Sequence, residues 1–457
     1  MIYTGTQSRR AFLARTGALG LAGAAAPFVT TLAGMGEAAA ATSGDYKALV
    51  CIFLFGGNDY ANTLPPYDQA SFNAYQAARA NLAYTRDALT PTLLNPTQAL
   101  PDGRQYALAP TMASLLPVFN AGKMAVLLNV GTLVRPTSKA QYQSGAGLPP
   151  KLFSHNDQQS YWQASSPEGA SSGWGGRMGD LLQSGNGSAT LTCVTCSGNA
   201  VYLTGKTAVQ YAVSPQGPVP LAATSNLYGS SSAAAALQQL MTTGGANYLV
   251  QEHAKISKRA LDTYAQVNGA LSGAPVANFS LFPAQNPLAD QLKMIARMIA
   301  VSGDLGAKRQ VFFASLGGFD LHDNLVAQHP GLLQKVADAM KAFYDTTVQL
   351  GVADKVTAFT ASDFGRTLQS NDDGSDHGWG SNHWVVGGAV RGGRIYGTPP
   401  AIGNGTPDDV GQGRLLPTIS VDQYAATLAN WFGVGAGDLA TVLPNIGNYS
   451  ATNLGFV

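Results

Sequence analysis

At 457 residues, with 45% hydrophobic and 12% charged side chains, the chain has material for a large buried core, as one α/β domain or two to three smaller ones. Its formal net charge of +1 and sparse charged residues exclude an electrostatic case for binding nucleic acid or anionic lipid.

The amino terminus reads Ser8-Arg9-Arg10-Ala11-Phe12-Leu13, then a small-residue apolar run to Met35 and the stretch Ala38 to Ala41. This is the pattern of a twin-arginine export signal. A retained anchor is the competing reading, because a membrane span needs roughly 20 apolar residues. Ala, Gly and Thr dominate the run, however, and it ends in a small-residue cleavage pattern, so residues 1–41 are read as a removed signal. Losing Arg9, Arg10 and Arg15 against Glu37 turns the net charge from +1 to −1. The mature protein is expected in the periplasm or secreted, with the twin-arginine translocase as its partner during export and no stable membrane span afterwards.

Lys47 to Phe55 is a continuous apolar run of strand length that ends in Gly56-Gly57-Asn58-Asp59, the signature of a buried central strand closed by a sharp turn. Helical spacing follows at Asp68 to Ala83 and Ala109 to Ala121, and a second buried strand at Met124 to Val130. Pro149 to Asp180 reads as loop. From Gly185 to about Ala223 alternating residues suggest short antiparallel strands, followed by a Ser- and Ala-rich low-complexity stretch to Gly245. We read residues 185–284 as an insertion or cap within a single domain of residues 42–457. Beyond it come an amphipathic helix at Gln285 to Leu305, a strand at Val311 to Leu316, a helix at Leu332 to Leu350, a strand at Val356 to Thr360 and a last helix at Val421 to Phe432. Strands alternating with helices argue for a mainly parallel sheet covered by helices on both faces. Of three cysteines, Cys51 lies in the first strand. The Cys193-Val194-Thr195-Cys196 pair is read as a small disulfide, since no redox or zinc-knuckle context surrounds it.

Chemistry-bearing residues gather where strands end, the edge at which open α/β sheets bind ligands. Asp59 follows Gly-Gly-Asn, Asp320 and His322 follow Gly-Gly-Phe, and Asp363 follows Ala-Ser. Carboxylates and imidazoles converging from separate strand ends suit a divalent metal, and His377 and His383 offer two more nitrogens. His155 sits in another polar loop, while His253 and His329 lack such company and read as structural. For Arg366 two readings stand: oxyanion binding through its planar fork, or a structural ion pair with Asp363 or Asp373. Ser154 is either a metal-activated nucleophile or a turn serine. Trp162, Trp174, Trp379 and Trp384 either wall a pocket or fill core.

Seven spaced motifs carry a family resemblance: Phe55-Gly56-Gly57-Asn58-Asp59, Phe153-Ser154-His155-Asn156-Asp157-Gln158, Gly173-Trp174-Gly175-Gly176-Arg177, Gly317-Gly318-Phe319-Asp320-Leu321-His322, Ser362-Asp363-Phe364-Gly365-Arg366-Thr367, Asp376-His377-Gly378-Trp379-Gly380, and Gly387 to Gly393 with Tyr396-Gly397. The chain resembles the domain-of-unknown-function family DUF1501, twin-arginine-exported bacterial proteins similar in fold to the alkaline phosphatase and sulfatase superfamily. The resemblance implies an alkaline-phosphatase-like α/β fold and a metal-dependent hydrolase of phosphate or sulfate esters, small or polymeric. Its cofactor would be one or two divalent ions, zinc, manganese or calcium. Asp59 and Asp363 would serve one metal, Asp320, His322 and His377 or His383 the other, with Ser154 and His155 beside Arg366 in catalysis. A non-catalytic envelope protein that binds a glycan, surface polymer or protein partner is the alternative. One departure stands out: Phe364 occupies the place where those enzymes commonly have a histidine, and no Cys-x-Pro-x-Arg sequence marks a formylglycine nucleophile.

Overall fold

The computed structural model describes residues 46–273 and 279–457; the export signal read at residues 1–41 lies outside them. Strand β1 (Lys47–Leu54) is the hub of the structure. Its side chains alternate between two apolar layers: Ala48, Val50, Ile52 and Leu54 pack into one core cluster, and Leu49, Cys51 and Phe53 into another. A strand buried on both faces is the physical reason its sequence is a continuous apolar run. Each large aliphatic side chain buried there contributes roughly 1.5–3 kcal/mol.

Around β1 the described residues form a nine-stranded sheet in the order β10-β2-β9-β6-β1-β5-β3-β4, with β11 paired to β2. The other strands are β2 (Met124–Gly131), β3 (Cys193–Thr195), β4 (Gln210–Ala212), β5 (Arg309–Leu316), β6 (Val356–Ser362), β9 (Ser381–Gly387), β10 (Arg394–Tyr396) and β11 (Ile419–Ser420). β1 pairs in parallel with β5 and β6, and β9 alone runs against its neighbours β2 and β6. The α/β architecture with a mainly parallel sheet is therefore as expected. A separate antiparallel hairpin, β7 (Arg366–Ser370) with β8 (Ser375–His377), stands beyond the end of β6.

The principal helices are α1 (Gln69–Arg79), α2 (His155–Ala164), α3 (Trp174–Leu182), α4 (Ser231–Thr242), α5 (Tyr248–Gly273), α6 (Pro287–Ala300), α7 (Leu325–Gln349) and α8 (Val421–Phe432). α6 and α7 cover one face of the sheet through Leu292, Ile295, Val336 and Met340, while α3 and α8 cover the other through Met178, Leu182, Ala425 and Leu428.

Four expectations need correction. The stretch read as loop from Pro149 to Asp180 holds α2 and α3, because Ser154 and Gly173 begin helices whose apolar positions are diluted by Gly, Ser and Gln. The strands at residues 185–223 are not antiparallel: β3 adds in parallel to β5, and β4 in parallel to β3, so part of the supposed insertion extends the central sheet. The low-complexity stretch holds α4, whose Ala-rich composition is a strong helix former. Cys193 and Cys196 are free and buried. Being three residues apart on and just beyond one strand, they face opposite core layers, which prevents pairing. Burial pushes both thiols up to about 12.

The four tryptophans are buried and fill core.

Candidate metal centre

The carboxyl ends of β1, β5 and β6 lie side by side, which sets Asp59, Asp320 and Asp363 on one rim. Close approach of these strand ends depends on glycine. Gly56 has φ +115 and Gly57 φ +86, and a Cβ on Gly57 would meet the Phe364 ring at 2.4 Å. His155 arrives as the first residue of α2. Phe153, with φ +71, and the extended Ser154 turn the chain into that helix. His377 comes from β8, and His322 from the loop after β5.

The side chains of three residues converge. His155 Nε2 lies 3.1 Å from His377 Nε2 and 3.3 Å from Asp320 Oδ2, and His377 Nε2 lies 3.2 Å from Asp320 Oδ1. His322 Nε2 joins them at 2.9 Å from His377 Nε2 and 3.1 Å from Asp320 Oδ1. Two overlapping donor sets share His377: His155, Asp320 and His377, and His322, Asp376 and His377, with ligand atoms within 4.8 Å of one another in each.

The far nitrogen of each core imidazole is held. His155 Nδ1 lies 2.7 Å from Asp363 Oδ2, and His377 Nδ1 lies 2.7 Å from the Phe153 carbonyl. A carbonyl only accepts, so His377 carries its proton on Nδ1 and turns a bare Nε2 toward the cluster. Burial holds the His377 imidazole below its usual range, which keeps it neutral. His155 is raised, chiefly by its hydrogen bond to Asp363, against burial that works the other way. Burial acts to raise the Asp320 carboxyl, but the Arg366 hydrogen bond and charge outweigh it and keep Asp320 ionised. The Phe364 ring lies against both imidazoles, 4.9 Å from His155 and 4.7 Å from His377 between centroids.

This donor set fits a divalent cation. One lone pair on His377 Nε2 faces three polar atoms at 2.9–3.2 Å, which hydrogen bonding cannot satisfy together. Donors on an ion with bonds of about 2.0–2.2 Å stand roughly 3–3.5 Å apart, the spacing seen here. Three protein ligands with imidazoles oriented by a carboxylate and a carbonyl is the pattern of an open, reactive site.

Not every expected residue joins the cluster. Asp59 is buried and caps the short helix Tyr60–Thr63, while both its oxygens accept from the buried Arg79 guanidinium. Its carboxyl is held below the usual range: burial opposes ionisation, and the Arg79 charge overcomes it. An internal cation thus occupies the carboxylate that the resemblance gave to a metal. His383 is fully buried within β9, packed on Trp162 at 4.7 Å, with Nδ1 3.2 Å from Thr360 Oγ1. Burial drives its pKa to about 3, and its place inside the strand rather than at the end sets it back from the rim. Asp363 stands behind His155 and also accepts from Gln159 Nε2 at 2.8 Å. Arg366 is fully buried and donates to Asp320, the Gly56 carbonyl and Ser375. Its ion pair is therefore with Asp320, not Asp363 or Asp373. Ser154 is the N-cap of α2 and donates its hydroxyl to Asp157 Oδ2 at 3.0 Å.

Three contributors escape a reading from the sequence. Arg79 gives no signal, since one basic residue in the last turn of a helix reads as an ordinary dipole partner. The Phe153 carbonyl is backbone and invisible to residue type. Gln159 had a usable signal: it lies four residues after His155, on the same helical face. Asp376, inside a quoted motif, accepts from Arg414 Nη2 at 3.1 Å.

The molecule is thus an α/β protein with a mainly parallel sheet and a His/Asp cluster at the carboxyl rim. The DUF1501 profile, described as a protein of unknown function, matches residues 46–435, and the chain belongs to this family. Three solved structures are similar to it. One is Ps i-CgsB in complex with k-i-k-neocarrahexaose, at 10% identity over 88% of this chain and 77% of that one, with a TM-score of 0.36. Another is a protein from the core locus for glycosaminoglycan metabolism of Bacteroides thetaiotaomicron, at 10% identity over 86% and 74%, with a TM-score of 0.34. A third is the lipoteichoic acid synthase LtaP from Listeria monocytogenes, at 9% identity over 89% and 76%, with a TM-score of 0.32. No curated protein matches the chain.

Proposed function

We propose that this protein is an exported hydrolase of phosphate or sulfate esters that works with one divalent cation held by His155, Asp320 and His377. The observation that carries this reading is the convergence of those three side chains, with donor atoms 3.1–3.3 Å apart and each imidazole fixed from behind. When bound, zinc, manganese or calcium would polarise an ester oxygen and lower the pKa of a water. One cation rather than two is favoured because Asp59 is neutralised by Arg79 and the two donor sets both depend on His377.

The chain's own groups supply the rest. Arg366 fixes Asp320 in its ionised form, Asp363 orients His155, and the Phe153 carbonyl sets the tautomer of His377. His322, about half exposed beside the cluster, is placed to exchange a proton with a leaving oxygen. Water rather than Ser154 is the attacking group in this reading, since the Ser154 hydroxyl is given to Asp157. Asp320 and His322 are open to solvent, which suits an ester carried on a polymer as well as a small one.

The alternative, an envelope protein that binds a polymer without turnover, is favoured by one observation: Arg366 is buried and turned inward, so it presents no fork to an oxyanion. Metal analysis of the mature protein purified without chelator, followed by aryl phosphate and aryl sulfate assays, separates the two. The hydrolase reading expects close to one equivalent of metal and turnover that disappears in Asp320→Ala and His377→Ala. Metal-free protein whose melting temperature ignores added zinc, manganese and calcium would overturn it.

A further inference from the structure

Exposed large apolar side chains are not spread evenly over this molecule. Val209, Val219, Leu221, Tyr228, Leu240, Tyr248, Leu249, Val250 and Ile256 all belong to the edge strand β4, the loops on either side of it, or the α4–α5 hairpin. Leu240 is 76% and Leu249 74% exposed, beside the turn that joins the two helices. Leu249 and Ile256 are seven residues apart on α5 and so share one face. That face continues into a groove of about 330 Å³ between α5 and the β4 edge, lined by Val209, Val219, Leu221, Ile256 and Tyr264. Tip, stripe and groove form one surface, and single exposed apolar residues would need no explanation where a contiguous set does.

We infer that this surface is the interface through which two copies of the chain associate. Charge selects the occupant. From Thr207 to Gln251 the sequence holds no Asp, Glu, Lys or Arg. A two-fold interface sets a patch against itself, so net charge on it would be buried against its own like; the stretch from Thr207 to Gln251 meets no such penalty, and Arg259 is the one charged residue lining the groove. Depletion of charge at the centre with charged residues at the border is also the composition of protein interfaces. The first charges beyond the patch are of both signs and already paired within α5, Lys255 with Glu252 at 2.7 Å and Lys258 with Asp262 at 2.8 Å. With Arg259 on the groove wall, residues 252–262 hold three basic and two acidic side chains, a net charge of only +1, which gives little positive field for an anionic lipid surface and favours a protein copy over a membrane. The short edge strand β4, three residues long, is covered at the same time, which removes an open sheet edge.

Sedimentation velocity of the mature full chain across a micromolar concentration series tests this. The expected result is a dimer whose mass falls twofold in Leu249→Glu and in Ile256→Glu, with circular dichroism and melting temperature near those of the parent. Val348→Glu, an equally exposed apolar site on α7, is the control and leaves the dimer intact. A monomer throughout the series overturns the inference, and binding of that monomer to phosphatidylglycerol vesicles would assign the surface to a membrane instead. A dimer that survives both α5 substitutions, or one that Val348→Glu dissociates, overturns it as well.

Discussion

His155 Nδ1 lies 2.7 Å from Asp363 Oδ2, so the aspartate at the end of β6 faces the back of an imidazole rather than the open cluster. In the proposed site Asp363 would therefore act on a cation through His155. Partners of this kind, when replaced, typically weaken metal affinity 10–100-fold. Asp363→Asn should lose zinc affinity by about that factor in calorimetric titration and stay folded, whereas Asp320→Ala should lose binding altogether. Equal and complete loss in the two variants would mean that Asp363 is itself a ligand.

The Asp59–Arg79 pair leads to a stability experiment. Both side chains are buried, and removal of one partner strands the other charge in the core. Breaking such a pair costs about 3–5 kcal/mol, while replacing both with apolar groups costs far less. Asp59→Asn and Arg79→Met should each lose about that much in urea unfolding, and the double variant Asp59→Leu/Arg79→Met should lose less than the sum of the two. Metal content should stay at one equivalent in whichever variants remain folded. A second equivalent in the parent protein that is lost in folded Asp59→Asn would show that Asp59 serves a cation after all.

These two residues also mark how far the sequence could be read. Strands β1, β2, β5 and β6 were legible because burial on both faces forces long apolar runs, and their ends pointed to Asp320, His322, Asp363 and the rim. What the pattern could not tell was which carboxylates face outward. Asp59 and Asp320 follow the same Gly-Gly-x-Asp formula, yet Arg79, more than 200 residues before Asp320, claims only the first. His383 looked like the loop histidines because it follows a glycine-rich stretch, but β9 begins two residues before it and buries it. Helix α2 was missed since its residues, His-Asn-Asp-Gln-Gln-Ser, carry almost no apolar period.

Ser154 separates two kinds of chemistry. A covalent nucleophile, when removed, costs on the order of 10⁴–10⁶ in turnover. If water attacks, Ser154→Ala loses only its hydrogen bond to Asp157, and the rate should fall no more than about tenfold, with roughly 1 kcal/mol of stability. Steady-state rates on an aryl phosphate or sulfate decide, and a loss approaching that of Asp320→Ala would reinstate the serine as nucleophile.

The two core histidines should make the fold acid-sensitive in a defined window. Burial lowers His383 to about 3 and His329 to about 4, so the folded state keeps both neutral where the unfolded chain, near 6.5, takes up protons. At these two groups the unfolded state binds more protons than the folded one below 6.5, so their contribution to stability falls as pH drops from about 6.5 toward 4, partly offset by Asp422, whose carboxyl burial raises to about 6. Asp59, whose folded pKa is depressed below 3.8, loses its contribution only at still lower pH, which keeps the two effects apart. Melts between pH 4 and 8, taken in chelator so that protonation of the His155 and His377 cluster does not enter through metal loss, should show this slope. In His383→Gln the curve should flatten over the same range, although its height at pH 8 drops with the loss of packing against Trp162 and Tyr424. An unchanged slope in that variant would mean that His383 is protonated in the folded protein, and that its surroundings within β9 are wetter than the packing shown.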